Sequence, residues 1–455
     1  MKTELESVHT DSRAQNVIIE LNSWNQAVDT QNRQVKYGKM ALAPLVFYRG
    51  TNHLFWVDFA EDDRLSHFGN ETTQTWLQGD LHAYNFGAYH NSKDEIVYGL
   101  NDFDETIFAD YQYDLWRMAI SIVLIARQND DLSFSQQEKV IDSLSQSYLD
   151  TLKQYRKTKV ARKRYATQHN TFGSLQTFLG SVGRNYTREA MLDRWAPEQR
   201  GARCFDLSRD KLQELTTKER KMVRKAVQMY RKTLEKRLSK NERDFKVKDV
   251  ARRLLAGTGS LGTNRYYVLI KDNSFSQYHI LDIKQQAKPT PYFYLGKPAQ
   301  KAYDAQFEND AQRHTESYQA LIRYADKYQG WLHLESGDAD FPAGYYSVRE
   351  RSPFKEAFPG EVLSTRTSFS SLAEQWATIL ATNHTRANKA LPKAVHMLTD
   401  DQDEAFRNLV KGVAFGYADQ VMTDWQYFVG ALDLNAEEQT SPSFFVPSYR
   451  DMLPR

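Results

Sequence analysis

Residues 79–87 have the sequence GDLHAYNFG, in which Asp80 precedes Asn85 by five positions. Phosphoryl transfer to a hydroxyl needs a carboxylate that orients the acceptor and takes its proton, together with oxygen ligands for magnesium. An Asp followed five residues later by an Asn supplies one of each. The same residue types also form turns in which the side chains only cap their own backbone, so this pattern alone leaves both interpretations open.

A second acidic cluster, NDFDE at residues 101–105, follows the first after the apolar run IVYGL. We expect residues 96–100 to form a strand that returns the chain to the same site. Asp102 would then be the main carboxylate that links magnesium to the nucleotide phosphates. Two such motifs in this order favour a phosphotransferase site over unrelated turns.

The loop GDLHAYN resembles the GDLHxxN loop of aminoglycoside phosphotransferases and choline kinases, and NDFDE is similar to their metal-binding IDF segment. The resemblance implies a protein-kinase-like fold in which Asp80 is the catalytic base. It also implies that Asn85 and Asp102 bind magnesium, with Asp104 as a further candidate ligand. Asp114, in the sequence DLWR, would orient the loop rather than react.

A glycine-rich stretch, GTGSLG at residues 257–262, precedes the run RYYVLIKD. Glycines let the backbone approach phosphates closely and direct N–H groups at them. A dinucleotide-binding motif would need a helix after the glycines, whereas a strand favours the hairpin that covers ATP in kinases. The candidate nucleotide-binding residues of this stretch are Gly257, Gly259, Ser260 and Gly262.

Lys284, in LDIKQQ, lies on the expected next strand. Its position suits a lysine that binds the α- and β-phosphates, although a lone strand lysine more often faces solvent. A helix is expected from about residue 303 to 328, in which Glu316 is the candidate ion-pair partner of Lys284 and Glu308 is its rival. The segment YYSVRE, residues 345–350, is expected to be an edge strand that leads to the hinge, where backbone groups would bind adenine.

The order of the motifs is the reverse of the usual kinase order, because Lys284 follows Asp80 by roughly two hundred residues. Either one motif is spurious or the fold is circularly permuted, which requires chain ends that lie close together. We expect permutation, since AEQWATILATNHTRANK near the end is similar to the helix that normally precedes the catalytic loop.

Most of the chain also resembles the bacterial family known as domain of unknown function 2252. The shared stretches are KMALAPLVFYRG, GDLHAYNFG, NDFDET, DLWRMAISI, GTGSLGTNRYYVLI, YYSVRE and FGYADQVMTDW. The chain departs from the family pattern at residues 285–286, where two glutamines replace the usual Glu-Ala. Arg49, in FYRG, is a candidate either for binding the γ-phosphate or acceptor or for a salt bridge to Asp102 or Asp104. His82 is expected to support the loop by hydrogen bonding and not to bind metal.

The expected fold is α+β: a two-lobed, circularly permuted protein-kinase-like fold with a small antiparallel sheet lobe and a mainly helical lobe. Residues 1–245 would form the helical part with both loops and a helical insert. Residues 246–350 would form the β-rich nucleotide-binding part, and residues 351–455 the helices that complete the helical lobe. The aromatic-rich run FYRGTNHLFWVDF predicts strand or tight-turn structure. The charged segment 135–245 predicts helices that form either a solvated face or a docking surface on the acceptor side.

The amino-acid composition limits the classes of binding partner for which the sequence gives an argument. With 60 Lys and Arg against 58 Asp and Glu, the formal net charge of +2 gives no argument for nucleic acid or an anionic membrane. The single cysteine, Cys204, cannot form an internal disulfide. No apolar run approaches the roughly 18 residues of a membrane span and no signal sequence is evident, so we expect a cytoplasmic protein.

The sequence therefore predicts an ATP- and Mg²⁺-dependent phosphotransferase that moves the γ-phosphate to a hydroxyl of a small molecule or protein. Nucleotidyl transfer on the same scaffold is a second enzymatic interpretation, and a nucleotide-binding pseudokinase or scaffold is a non-enzymatic one. The presence of Asp80, Asn85, Asp102 and Lys284 together argues against a pseudokinase. The acceptor and the oligomeric state remain open.

Overall fold

A computed structural model describes residues 2–160, 163–234, 245–254, 263–273, 276–335 and 341–438. The α-helices in these ranges are Lys2–Trp24, Thr30–Met40, Pro44–Gly50, Asn52–Phe59, Gln112–Asn129, Phe134–Arg156, Gly173–Asn185, Arg188–Trp195, Thr217–Tyr230, Lys297–Gln306, Asp310–Leu321, Arg366–Ala387, Leu391–Thr399 and Asp403–Glu438. The strands are β1 (Gln74–Leu77), β2 (Phe86–His90), β3 (Ile96–Leu100), β4 (Ile107–Asp110), β5 (Glu198–Gln199), β6 (Ala202–Arg203), β7 (Leu212–Gln213), β8 (Phe245–Arg253), β9 (Arg265–Asp272), β10 (Tyr278–Gln285), β11 (Gly330–Leu334), β12 (Gly344–Glu350) and β13 (Glu356–Ala357). Helices combined with antiparallel sheets confirm the expected α+β class. None of the helices in these ranges is both long enough and apolar enough to cross a membrane.

The main sheet has six antiparallel strands in the order β11-β12-β10-β9-β8-β7. The strands β8, β9 and β10 follow one another in sequence and in space, and the expected strands RYYVLIKD and LDIKQQ correspond to β9 and β10. Lys284 lies on β10, with Arg265 and Ser347 opposite it on the two neighbouring strands. The expectation that residues 345–350 form an edge strand is wrong, because β12 pairs on both sides and buries Tyr346 and Val348 completely.

A large apolar core joins the beginning of the chain to its end. Buried residues of this core include Leu21, Trp56, Trp116, Leu380 and Phe428. At its centre, the helix Gln112–Asn129 packs against Phe134–Arg156 and Asp403–Glu438. Burial on almost every side explains why this helix carries the apolar run LWRMAISIVLIA.

Residues 44–59 are helical, so the prediction of strand or tight-turn structure for the run FYRGTNHLFWVDF is wrong. Pro44 stands in the first turn of the first helix, where its missing N–H costs nothing. The aromatic residues Phe47, Tyr48 and Trp56 are all buried in the large core. Their burial, rather than intrinsic β-propensity, decides the local structure.

The helix expected over 303–328 is instead two helices, and Asn309 caps the second by accepting from the backbone N–H of Gln312 at 2.8 Å. The helices after the main sheet are Arg366–Ala387, Leu391–Thr399 and Asp403–Glu438. The segment from Met191 to Leu234 contributes to apolar cores formed with the main sheet, so this part of the charged segment 135–245 packs against the sheet.

Candidate active site

The loop GDLHAYNFG begins at a glycine that no other residue would replace easily. Gly79 has φ +82°, and a Cβ at this position would lie 1.9 Å from the carbonyl oxygen of Glu105. The loop after β1 is therefore pressed against the NDFDE segment. Within the loop, Nδ2 of Asn85 donates to the Asp80 carbonyl oxygen at 2.9 Å, which fixes the two candidate residues relative to each other.

The Asp114 carboxylate fixes the start of this loop through hydrogen bonds to its backbone. Its carboxylate accepts from the backbone N–H of Gln78 at 2.7 Å and of Gly79 at 3.0 Å. Nε2 of His384 lies 3.2 Å from the same carboxylate, and Tyr148 bonds the other ring nitrogen at 2.8 Å. Since all these groups are buried, Asp114 orients the loop and is not positioned to react.

Gln78 connects the two motifs, and the sequence analysis missed it. Its Oε1 accepts from the backbone N–H of Asp80 at 2.9 Å, and its Nε2 donates to the Asp102 carbonyl oxygen at 2.8 Å. The side chain is almost completely buried. The expected convergence of GDLHAYNFG and NDFDE therefore depends on a residue that precedes the first motif.

The Asp80 carboxylate forms an ion pair with Arg117, which also escaped the sequence analysis. Nε of Arg117 donates to Oδ1 of Asp80 at 3.0 Å, and a second guanidinium nitrogen contacts the same oxygen. Burial raises the pKa of Asp80 to about 6, although the Arg117 charge acts in the opposite direction. The carboxyl group is therefore mostly ionised at neutral pH but can take up a proton readily.

The Lys284 ammonium reaches across from the sheet and forms an ion pair with Asp104. The other Asp104 oxygen accepts from Nε2 of Gln286 at 2.9 Å. Burial alone would raise the pKa of Asp104, but the Lys284 charge outweighs it and the pKa lies well below its usual value. The expected Lys284–Glu316 pair is wrong, because the Glu316 side chain is exposed and accepts from Gln312 at 2.8 Å. The rival Glu308 is also exposed.

Arg313 connects the backbone of the NDFDE segment to the strand that carries Lys284. This fully buried side chain donates to the carbonyl oxygens of Phe103 at 3.1 Å and Thr106 at 3.2 Å. It also donates to the carbonyl oxygen of Ala287, just after β10, at 3.3 Å. One side chain thus fixes the distance between the NDFDE segment and the strand that carries Lys284.

Arg49 and His82 lie on the same side of the site as Asp80. The Arg49 guanidinium lies 4.9 Å from the ring centroid of Tyr84, and its positive charge favours the ionised form of Asp80. Asp104 is paired with Lys284. Whether Arg49 binds a phosphate or acceptor or forms a salt bridge to Asp102 or Asp104 stays a prediction. His82 is buried, and its Nδ1 has no hydrogen-bond partner among the residues described.

A second group of buried polar residues near Asp80 was not predicted. Lys36 donates to Oδ1 of Asn25 at 2.7 Å, and burial lowers its pKa to about 8, with Glu105 and Asp80 opposing the shift. Burial raises the pKa of Glu105 to about 7, and the Asp80 charge adds to the effect. His53 stacks on Trp24, and burial lowers its pKa to about 3. Neither ring nitrogen of His53 has a partner in the described ranges.

The candidate metal ligands form an incomplete set. Within the described part of the chain, no three His, Cys, Asp or Glu side chains are grouped as a metal site. Both Asp104 oxygens are engaged by Lys284 and Gln286. Asp102 and Asn85 stay the candidate ligands for Mg²⁺, an ion that is usually held by one or two carboxylates together with substrate phosphates and water.

The glycine-rich candidates Gly257, Gly259, Ser260 and Gly262 lie outside the described residues. The expectation that they bind the nucleotide phosphates stays a prediction.

Comparison with known proteins gives one match. A family model described as an uncharacterized protein conserved in bacteria, domain of unknown function 2252, matches residues 29–431. No curated protein and no solved structure matches the chain.

Proposed function

The chain belongs to the bacterial family called domain of unknown function 2252, and from its site we propose that the protein is an ATP-dependent phosphotransferase with a kinase-like active site. The observation that carries the proposal is the ion pair between Lys284 and Asp104, residues 180 positions apart. It brings a strand lysine to the acidic segment that Gln78 links to Asp80. A phosphate-binding lysine, a magnesium carboxylate and a base are the parts that phosphoryl transfer requires.

The proposed reaction uses residues that are already close together. The acceptor hydroxyl oxygen forms a bond to the γ-phosphorus while the bond from this phosphorus to the β–γ bridging oxygen breaks, and ADP leaves. Asp80 takes the hydroxyl proton, for which a pKa of about 6 is suitable at neutral pH. When ATP binds, the Lys284 ammonium would leave the Asp104 carboxylate and pair with the nucleotide phosphates. Mg²⁺, when bound by Asp102 and Asn85, would neutralise charge on the phosphates.

The permuted order is part of the proposal. The first helix packs against the last described helix. Arg13, on the first helix, forms ion pairs at 2.7 Å with Asp424 on that last helix and with Asp58. The helix Arg366–Ala387 reaches the catalytic loop, because the His384 carbonyl oxygen accepts from Thr75 at 3.0 Å, just before that loop. Both contacts support a kinase-like helical lobe that is assembled from the two ends of the chain.

The test is incubation with γ-labelled and α-labelled ATP, beside the variants Asp80→Asn and Asp102→Asn. Label from γ-labelled ATP alone, lost in both variants and retained in the exposed control Asp210→Asn, is the expected result. Label from α-labelled ATP would indicate nucleotidyl transfer instead. Binding of ATP without transfer of either label to any acceptor in a cell extract would indicate a pseudokinase.

A further inference from the structure

A recess that is partly open to solvent lies behind the β2–β3 hairpin, against the C-terminal half of the helix Arg366–Ala387. Three arginines line it, Arg164, Arg323 and Arg386, and among the described residues no aspartate or glutamate does. We call this recess the arginine pocket. Its lining includes none of the candidate active-site residues, so the two sites are separate.

The charge of the arginine pocket is unusual for this chain, whose basic and acidic residues are almost equal in number. Like charges that are partly withdrawn from water repel one another more strongly than on an open surface. Arg386 is held in place by the carbonyl oxygens of Leu321 and Arg164 and by Oδ1 of Asn383 at 2.8 Å. Arg386 is half-buried, and burial lowers its pKa to about 10. A bound anion would relieve the repulsion.

Two hydrogen-bond donors of the pocket lining have no partner. Asn383 is only 4% exposed, and its Nδ2 is unpaired within the described ranges because its Oδ1 already accepts from Arg386. Nε of Arg323 is buried and unpaired in the same way, although its Nη2 donates to the Tyr324 hydroxyl at 3.1 Å. Buried polar groups are rarely left without a partner. Both side chains line the pocket, where a ligand with acceptor oxygens would supply the missing partners.

Aromatic side chains form much of the remaining lining, namely Tyr89, Tyr98, Tyr165 and Phe172. Such surfaces favour a flat apolar group beside the charged one. We propose that the arginine pocket binds a small organic anion. Its phosphate or carboxylate group accepts hydrogen bonds from Arg323 and Asn383, and its flat apolar part lies against the aromatic side chains. The proposal does not depend on phosphotransferase activity.

Titration calorimetry with three probes tests the proposal: phenyl phosphate, phenylacetate and benzyl alcohol. The full chain is expected to bind at least one of the two anions and to bind the neutral alcohol at least tenfold more weakly. The anion that binds more tightly shows whether the pocket prefers a phosphate or a carboxylate group. Arg323→Gln is expected to weaken binding of the anion by about tenfold, because it removes a charge-assisted hydrogen bond.

Two further variants control for folding and for total charge. Arg323→Lys keeps the charge but loses the planar fork, so it should weaken binding less than Arg323→Gln. Arg366→Gln removes an exposed arginine from the start of the same helix, about 30 Å along the axis from Arg386, and should leave affinity unchanged. The proposal is overturned if benzyl alcohol binds as well as the anions, if no probe binds, or if Arg323→Gln and Arg366→Gln have equal effects.

Discussion

Replacing Lys284 with methionine removes the ion pair that connects the sheet to the acidic segment. Its side chain is 14% exposed and that of Asp104 is 22% exposed. Breaking a fully buried pair costs about 3–5 kcal/mol, whereas an exposed pair contributes at most about 1 kcal/mol. Because both groups are mostly buried while Gln286 remains as a partner for Asp104, we expect Lys284→Met to lower the free energy of unfolding by about 2 kcal/mol.

The coupling between the two residues is measured with a double-mutant cycle. Asp104→Asn keeps an oxygen that can accept from Gln286, so the cycle isolates the interaction with Lys284. Urea unfolding followed by tryptophan fluorescence should give a coupling energy of about 1.5–2 kcal/mol. Lys301→Met, which removes an exposed lysine, should change stability by less than about 0.5 kcal/mol. A Lys284–Asp104 coupling energy below about 0.5 kcal/mol would refute the reasoning.

Three more predictions concern the loop and its carboxyl groups. Gly79→Ala should lower the free energy of unfolding by about 3 kcal/mol or more, because φ at this position is positive and the added Cβ would collide with the Glu105 carbonyl oxygen. The control Gly38→Ala lies on an open helix face and should be neutral or stabilising when urea unfolding is measured in the same way. Because the folded state raises the pKa of Glu105 to about 7, its ionisation opposes folding as pH rises above about 4.5. Glu105→Gln should therefore stabilise the protein by about 1–3 kcal/mol at pH 8 and by much less at pH 5, and an equal effect at both values would contradict this. The phosphotransfer rate should fall as pH drops through about 6, where Asp80 becomes protonated, and a rate independent of pH between 5 and 7 would exclude Asp80 as the base.

The sequence was most informative where chemistry and local pattern coincide. Asp80 and Asn85 are linked within one loop, and Asp102 follows on the strand connection that IVYGL predicted. The meander around Lys284 was also predictable, because strands of alternating and aromatic residues were separated by turn residues. These features depend on residues close together in sequence.

The remaining features depend on contacts between distant parts of the chain. Gln78, Arg313 and His384 act through hydrogen bonds to residues that no spacing rule connects with them. The sequence did contain a signal for Arg117, because a single arginine within the buried run LWRMAISIVL needs a buried hydrogen-bond acceptor. The choice of Glu316 as the partner of Lys284, with Glu308 as its rival, followed the usual kinase pattern. That choice was wrong because Glu316 faces solvent on its helix.

The most direct test of the central claim is thermal stabilisation by ATP with Mg²⁺. If the site binds the nucleotide, the wild-type melting temperature should rise, since a ligand at 100 times its Kd adds about 2.7 kcal/mol of stability. Measured from each variant's own melting temperature without ligand, the rise should be lost in Lys284→Met and Asp102→Asn and retained in Lys301→Met. No rise in the wild type at millimolar ATP and Mg²⁺ would contradict a kinase-like active site.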